Sequence, residues 1–352
     1  MHYPRLVINE DKIIHNTRTI NRAATAHGIK VAGVTKACLA DETVVRAMLA
    51  GGLTELADSR VINLQKLKEM NLGVPLMLLR APGLSQIEDT VQYADISLNS
   101  DYKIIAALAA VARKRKKEHG IVIMVDLGDL REGVWPEDAV SLAIKVERLK
   151  GVQLKGLGVN LSCYGGVMPT KTNMQQLVDI AVDVEKAIGR KLEIISGGNT
   201  SSLHLLFSDD MPTGINHLRI GEGILLGRNT IDGSPLQETY QDCFALQAEV
   251  LESYIKPSQP IGIIDPDAFG NVQKFEDKGN MLRAIIALGR QDVPVEGIHP
   301  LNEELEIIGA SSDHMIIDAT RQNGLKTGDI IEFGVNYGGL LGSMTSPFIE
   351  KV

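Results

Sequence analysis

Eight short runs of β-forming residues alternate with amphipathic helical segments between residues 31 and 225 of this 352-residue chain. A helix between successive strands makes the strands parallel, because the chain returns to the same end of the sheet each time. Eight such repeats close a parallel sheet into a (β/α)8 TIM-type barrel. A doubly wound open sheet is the competing interpretation, and the number of strands favours closure. The predicted strands lie at 31–35, 54–57, 75–79, 95–98, 121–125, 156–160, 192–195 and within 217–225.

The alternation ends near residue 233. Beyond it, strand-like runs follow one another with Gly, Pro and Asn turns between them and no long helix, which is typical of an all-β domain. These runs lie at 244–249, 284–288, 304–308, 314–318 and 329–333. We therefore predict a barrel over residues 10–233 and a smaller C-terminal β domain over 234–352, which also takes the strand within residues 1–9.

Composition excludes several other classes of protein. A net charge of −8 and an aromatic content of 4% argue against a nucleic-acid-binding surface. Three cysteines far apart in sequence argue against a disulfide framework or a zinc site, and we predict no metal. The apolar runs are much shorter than the roughly 20 residues that cross a bilayer. The N-terminus has no apolar signal region, so we expect a cytoplasmic protein.

A barrel of this kind carries its site at the C-terminal ends of its strands. Two glycine turns, 197–201 and 221–223, follow the seventh and eighth predicted strands, whose loops often bind phosphate in this fold. Glycine lets backbone N–H groups approach an anion, and Asn199, Thr200 and Ser201 can donate further hydrogen bonds. Either turn alone would be only a tight turn, whereas the two together favour a phosphate site.

Lys36 ends the first predicted strand, at the same barrel mouth. The apolar run before it predicts a poorly solvated amine, which would have a lowered pKa and would react readily with a carbonyl group. A lone lysine at a strand end would be read as a surface residue. With a phosphate site across the mouth, the leading hypothesis is covalent attachment of pyridoxal phosphate.

Several segments resemble those of alanine racemases, the pyridoxal phosphate enzymes of fold type III. They are Val34–Ala37 around the lysine, the Asp-x-Gly-x-x-Arg-x-Gly stretch at 126–133, the Arg-containing segment 218–224 and the loop 311–318. Stretches at 55–60, 196–203, 287–293 and 309–314 are similar to the ornithine racemase branch in particular. Each motif is short, but their order and spacing are specific, and the resemblance covers nearly the whole chain.

The resemblance implies an amino-acid racemase that moves a proton at Cα, with Lys36 holding pyridoxal phosphate and acting as one acid/base. Arg219 would face the pyridine nitrogen, Arg131 would bind the substrate carboxylate, and Tyr337 would reach the phosphate. The other cofactor-binding residues would be Asn160, Asn199, Thr200, Ser201, Gly221 and Glu222.

Each arginine and the tyrosine also has a purely structural interpretation. Arg219 could form a salt bridge with Glu222, Arg131 could pair with Glu132 or Asp129, and Tyr337 could be a core residue. Decarboxylases of basic amino acids with this fold place a glutamate at the position of Arg219. A permanently charged arginine disfavours protonation of the pyridine, so this residue favours a racemase.

The chain departs from alanine racemases at two positions. Phe269 stands where the family has a tyrosine that acts as the second base from the partner subunit, and Ala40 replaces another tyrosine. Asp313 and His314 are the nearest substitutes, because the resemblance places their loop in the partner's barrel; Cys163 and Tyr164 are further candidates. These losses fit a substrate other than alanine, whose terminal ammonium would be bound by Asp129, Asp265 or Asp267.

The leading interpretation is a racemase of ornithine or a related basic amino acid, assembled as a head-to-tail homodimer with shared active sites. The alternatives are a pyridoxal phosphate decarboxylase of a basic amino acid, or an alanine racemase. A cofactor-carrying protein without turnover is a third possibility, although small proteins of that type lack a second domain. A phosphate-sugar barrel enzyme without pyridoxal phosphate is the remaining one.

Overall fold

The structure is a computed structural model that describes residues 2–266, 270, 275–322 and 324–352. It contains two compact units, one of residues 10–241 and one that combines residues 1–9 with 242–352. The first unit is a (β/α)8 barrel and the second is built mainly of antiparallel strands, which confirms the predicted fold class.

Eight parallel strands close the barrel, and its last strand pairs with its first. The helices of this unit alternate with these strands, and no helix in the described ranges is long and apolar enough to span a membrane. The elements are α1 (Glu10–Ala26), β2 (Lys30–Val34), α2 (Glu42–Ala50), β3 (Leu56–Asp58), α3 (Val61–Glu69), β4 (Leu76–Leu78), α4 (Ile87–Tyr93), β5 (Ile96–Asn99), α5 (Tyr102–Lys114), β6 (His119–Met124), α6 (Pro136–Glu147), β7 (Val152–Gly158), α7 (Lys171–Ile188), β8 (Ile194–Ser196), α8 (Leu203–Phe207), β9 (His217–Ile220) and α9 (Glu222–Leu226).

Most predicted ends of the barrel strands lie within about two residues of the observed ends, and two predictions differ by more. β7 begins at Val152, earlier than predicted. The prediction missed the first part of this strand because the polar side chains of Gln153 and Lys155 interrupt the apolar pattern there. Both side chains point to the carboxylate of Glu193, at 3.3 and 2.9 Å. The last predicted run, 217–225, is divided between β9 and α9 at Gly221.

The barrel unit extends several residues beyond the predicted boundary at 233. Asn16 on α1 explains this extension, because its side-chain amide donates hydrogen bonds to the carbonyls of Tyr240, at 2.8 Å, and Ile224, at 3.0 Å. The segment after α9 is thereby held against the first helix of the barrel.

Apolar side chains fill the barrel interior: Ala32, Val34, Ala57, Met77, Leu98, Val122 and Met124 form one buried cluster. A barrel packed in this way has no central channel, so ligands can be bound only by the residues at the ends of its strands.

The second unit is an eight-stranded sheet whose main strand order is β12-β15-β10-β11-β14-β13. β1 also pairs with β10, and β16 pairs with β1. The unpredicted helix α10 also lies here. Glycines at 338, 339 and 342 conceal this helix in the sequence, since glycine is a poor helix former. Gly339 is required because a Cβ there would lie 2.0 Å from the carbonyl oxygen of Gly297. The elements are β1 (Arg5–Ile8), β10 (Phe244–Pro257), β11 (Asn280–Ile286), β12 (Ile298–Pro300), β13 (Glu306–Ala310), β14 (Met315–Asp318), β15 (Ile330–Val335), α10 (Tyr337–Thr345) and β16 (Glu350–Lys351).

One buried histidine makes the barrel sensitive to acid. His119 begins β6, and its Nε2 lies 2.7 Å from the hydroxyl of Ser97 on β5. Burial lowers the pKa of His119 to about 4, so the folded protein keeps this imidazole neutral at pH values where an unfolded chain would protonate it.

We expect the free energy of unfolding to fall by up to about 3 kcal/mol on this account as the pH drops from 6.5 to 4, because the unfolded chain binds one more proton. His119→Gln removes the titration and keeps a hydrogen-bonding partner for Ser97. Urea unfolding at a series of pH values should therefore show a shallower loss of stability for this variant. His2→Gln, at an exposed position, serves as the control; equal pH dependence in His119→Gln and the unchanged protein would contradict the assignment.

Candidate active site

Lys36 is separated from the end of β2 by Thr35 alone, and it begins a short 3-10 turn, Lys36–Cys38. The next two residues, Leu39 and Ala40, have positive φ angles of 53° and 54°, and they turn the chain towards α2. The Lys36 side chain is exposed at the barrel mouth, so the poor solvation expected from the sequence is wrong for this chain. The apolar layer of β2 ends at Val34, and the turn places Lys36 beyond it.

The turn that carries Lys36 is anchored by Asp58, the fully buried last residue of β3. The hydroxyl of Thr35 donates to the Asp58 carboxylate at 2.7 Å, and the backbone N–H of Arg60 and the side chain of Asn63 donate at 2.8 and 3.1 Å. Burial raises the pKa of Asp58, and these hydrogen bonds oppose the rise. Asp58 therefore fixes the residue immediately before the lysine.

Thr35→Val should lower the free energy of unfolding by about 1–3 kcal/mol, since it leaves one oxygen of a buried carboxylate without its donor at unchanged side-chain volume. Deuterium exchange of the peptide that contains residues 35–41 should become faster. Thr35→Ser keeps the hydroxyl and is the matched control. An equal effect of the two substitutions would show that the hydroxyl does not anchor the turn.

The loops after β7 and β8 are joined by Asn199. Its amide nitrogen donates to the side-chain oxygen of Asn160 and to the carbonyl of Leu161, both at 3.0 Å, while its oxygen accepts from the N–H of Ser201 at 2.7 Å. The Ser201 hydroxyl is buried and lies 3.5 Å from the carbonyl of Leu161. The structure thus brings Asn160, Asn199 and Ser201 together.

Thr200 joins the loop after β8 to the loop after β9. Its hydroxyl oxygen accepts from the N–H of Gly223 at 3.2 Å, which leaves the hydroxyl hydrogen for another acceptor. A Cβ on Gly221 would lie 3.1 Å from Cβ of Val34, so only glycine lets this turn lie so close to β2. The two glycine turns therefore form one continuous surface of amide and hydroxyl groups beside the start of the Lys36 turn.

Glu222 lies in this surface and is half-buried. Burial raises its pKa, against the positive charges of Lys36 and Arg228, which act in the opposite direction. In the described ranges Glu222 forms no salt bridge with Arg219, so that interpretation of Arg219 does not hold.

Arg219 is a buried cation, 4% exposed, on the strand that pairs with β2. Its guanidinium donates to the carbonyl of Val159 at 2.8 Å and to the hydroxyl of Ser196. Burial lowers its pKa to about 10; the nearby carboxylate of Glu132 raises the value and the charge of Arg131 lowers it. Arg219 still carries its proton at neutral pH, and it has no carboxylate bound to it within the described part of the chain.

Arg131 lies after β6 and forms an ion pair with Glu132. This ion pair is one of the two structural pairings considered for Arg131 from the sequence. It also contacts the thiol of Cys163, in the loop after β7. Arg131 is partly exposed and its partner Glu132 is its sequence neighbour.

Asp129 has a structural task. Its carboxylate is buried and accepts hydrogen bonds from the N–H groups of Tyr164, at 2.9 Å, and Val167, at 3.1 Å. Burial would raise its pKa, but these backbone donors lower it overall. Asp129 therefore orders the loop before α7 and is not free to bind the ammonium group of a substrate.

The remaining predicted site residues lie in the second unit. Asp313 and His314 are exposed neighbours in the turn between β13 and β14, with Oδ1 of Asp313 3.0 Å from Nδ1 of His314. This hydrogen bond lowers the pKa of Asp313, which is therefore a carboxylate at neutral pH. Tyr337 is the first residue of α10. Phe269 and Asp267 lie outside the described residues.

Three further polar residues end barrel strands: Asp58 on β3, Asn99 on β5 and Ser196 on β8. The sequence reading missed them as site residues. The rule that identified Lys36 and Asn160, a polar residue where a strand ends, would have found them if the ends of these strands had been placed to the residue.

Comparison with known proteins identifies the family. The profile described as "Alanine racemase, N-terminal domain" matches residues 8–228. The fold is similar to that of an alanine racemase of Bartonella henselae with covalently bound pyridoxal phosphate; the TM-score is 0.75 at 17% identity, over 100% of this chain and 99% of that chain. The protein belongs to the alanine racemase family.

Two relatives are similar over the full length. The chain is 43% identical to an ornithine racemase of Acetoanaerobium sticklandii, over 99% of both sequences. It is 40% identical to a lysine racemase of Thermotoga maritima, over 100% of this chain and 99% of the relative. The predicted resemblance to racemases, and to the ornithine racemase branch, is confirmed.

Proposed function

We propose that this protein is a pyridoxal phosphate-dependent racemase of basic amino acids, with ornithine or lysine as substrate. The observation that carries the proposal is the pairing of β2 with β9. Ala32 and Arg219 are direct partners in this pair, so the buried guanidinium lies beside the strand that leads into Lys36. The full-length similarity to an ornithine racemase and a lysine racemase supports the same conclusion.

The residues at the mouth fit the cofactor. The two glycine turns form a cradle that suits its phosphate, and the hydroxyl hydrogen of Thr200 can be donated to that phosphate. The exposed amine of Lys36 suits its aldehyde. Asn160, Asn199, Ser201, Gly221 and Glu222 would complete the cradle. Tyr337 would supply a further hydroxyl. When bound, pyridoxal phosphate withdraws electrons from Cα of the amino acid and thereby makes its hydrogen acidic.

Arg219 would face the ring nitrogen of the cofactor. A guanidinium only donates hydrogen bonds and keeps its proton at neutral pH, so it favours an unprotonated ring nitrogen. This limits electron withdrawal to what proton removal at Cα requires, and it suppresses transamination. Arg131 would bind the substrate carboxylate, for which it would exchange its bond to Glu132.

Racemisation needs a proton donor and acceptor on each side of Cα. Lys36 would serve one side. For the other side we propose His314, oriented by the carboxylate of Asp313 and supplied by the partner subunit of a homodimer. Cys163 and the exposed Tyr164 are alternative groups of the barrel itself. The homodimer is part of this proposal.

A basic substrate requires an acidic group for its terminal ammonium. Asp129 is engaged by backbone N–H groups, which removes one of the three predicted carboxylates. Asp265 is exposed in the second unit and remains a candidate for this role. Asp267 lies outside the described residues.

Proton NMR of the purified protein with pyridoxal phosphate and L-ornithine in D₂O tests the function. We expect loss of the α-proton signal, and chiral chromatography of the same sample should show D-ornithine. Lys36→Ala should abolish both, because the amine holds the cofactor and moves the proton. Lys103→Ala, an exposed lysine on α5, is the matched control and should retain full activity.

Three other outcomes would replace the proposal. Release of CO₂ from the substrate would identify a decarboxylase instead. Unchanged α-proton signals with ornithine, lysine, arginine and alanine would identify a protein that carries the cofactor without turnover. Exchange with alanine alone would identify an alanine racemase.

A further inference from the structure

A chain of buried polar side chains runs from Arg219 through the interior of the barrel wall. The guanidinium of Arg219 donates to the hydroxyl of Ser196, which lies 2.9 Å from Nδ1 of His217. On the far side of the ring, Nε2 of His217 lies 3.4 Å from the carboxylate of Glu55. The other oxygen of Glu55 forms an ion pair with Lys30 at 2.7 Å.

The donor and acceptor of each link follow from the two ends of this chain. Arginine has no acceptor atom, so the Ser196 oxygen must accept from it and the Ser196 hydrogen can be given to Nδ1 of His217. Although burial opposes its charge, His217 and Lys30 lower the pKa of Glu55 to about 2. A carboxylate can only accept, so Nε2 of His217 must carry the ring hydrogen. This arrangement assigns the ring hydrogen of His217 to Nε2 and leaves Nδ1 as the acceptor from Ser196.

The polar groups of this chain are buried, so each needs a partner within the protein. The side chains are almost fully buried: Ser196, His217 and Glu55 are each at most 2% exposed, so their polar atoms depend on partners within the protein rather than on bulk water. Neither Nε2 of His217 nor Oε1 of Glu55 has a hydrogen bond within the described residues, and the two atoms face each other at 3.4 Å. Arg219 is a buried cation that needs neutral acceptors rather than a carboxylate beside it, because a paired guanidinium would be partly neutralised.

We propose that Ser196, His217 and Glu55 are positioning residues for Arg219: their chain of buried polar contacts fixes the guanidinium in one orientation towards the cofactor ring, with the neutral oxygen atoms of Ser196 and Val159 as its hydrogen-bond acceptors. The inference rests on the proposed function, in which Arg219 faces the ring. It adds that the electronic state of the cofactor depends on residues that touch neither cofactor nor substrate.

The barrel contains a matched control. Ser97 and His119 form a second buried serine–histidine pair, at 2.7 Å, on the strands β5 and β6. The described contacts of this pair do not include Arg219. A merely structural effect of losing a buried histidine should therefore be similar for His119 and His217.

The first test needs no catalysis. Nitrogen NMR of the ¹⁵N-histidine-labelled protein reports which ring nitrogen carries hydrogen, and His217 is assigned as the signal missing from His217→Asn. We expect hydrogen on Nε2 and none on Nδ1. A His217 with hydrogen on Nδ1 would overturn the inference even in an active racemase. An inactive protein with the expected tautomer would count against the proposed function and not against the hydrogen-bond chain.

The second test uses the enzyme loaded with pyridoxal phosphate. We expect His217→Leu to lower kcat about tenfold with little change in KM, because the Ser196 hydrogen loses its acceptor. The absorption band of the bound cofactor should shift as well. His217→Asn, whose side-chain oxygen can accept in place of Nδ1, should restore most of both. His119→Leu should leave kcat and the absorption band unchanged.

Equal effects of His217→Leu and His119→Leu, or a lowered kcat with an unmoved absorption band, would overturn the proposal. If His217→Leu does not fold, Ser196→Ala breaks the same chain at its other link. The absorption band should shift in that variant too, and the nitrogen signal of His217 Nδ1 should move because its donor is gone. An unmoved signal would contradict the chain.

Discussion

The pairing of β2 with β9 is the interaction on which the site depends. It closes the barrel, and without it the strands would form an open sheet with two separate edges. Closure makes the first and last strands neighbours, so that Lys36 and Arg219 come together although 183 positions apart in numbering. Gly221 is part of the same closure, because the absence of a side chain lets the loop after β9 lie against Val34.

The polar groups of the mouth are mostly engaged with one another. Asn199, Thr200 and Asp58 each hold a neighbouring loop, and Asp129 orders the loop before α7. The loops of the mouth are therefore fixed by the same side chains that provide its chemistry. Such fixed loops suit a reaction in which the proton donor and acceptor must remain on opposite sides of one carbon atom.

The sequence was sufficient for the architecture and for the residues that a strand-end rule selects. Alternation of strand and helix predicted the barrel, and the position of Lys36 after an apolar strand predicted its place at the mouth. Its exposure was not predictable, because that depends on how the turn at Leu39 and Ala40 leaves the strand. Sequence distance also concealed the link from Arg219 to Glu55, since a hydrogen bond between side chains on different strands leaves no periodic pattern. α10 was hidden for a different reason: its glycines oppose helix formation and serve packing instead.

The two strands β1 and β16 run side by side, with Arg5 paired to Glu350 and Leu6 to Lys351. During synthesis on the ribosome, every residue of the barrel unit emerges before the last strand of the β unit exists. The barrel can thus form before β1 has any partner, because β10 and β16, the two strands that pair with β1, both follow the barrel unit in the sequence. A nascent chain of this protein therefore carries β1 as an unpaired strand until β10 has been made, and its free backbone N–H and C=O groups are open to pairing with other chains during that time.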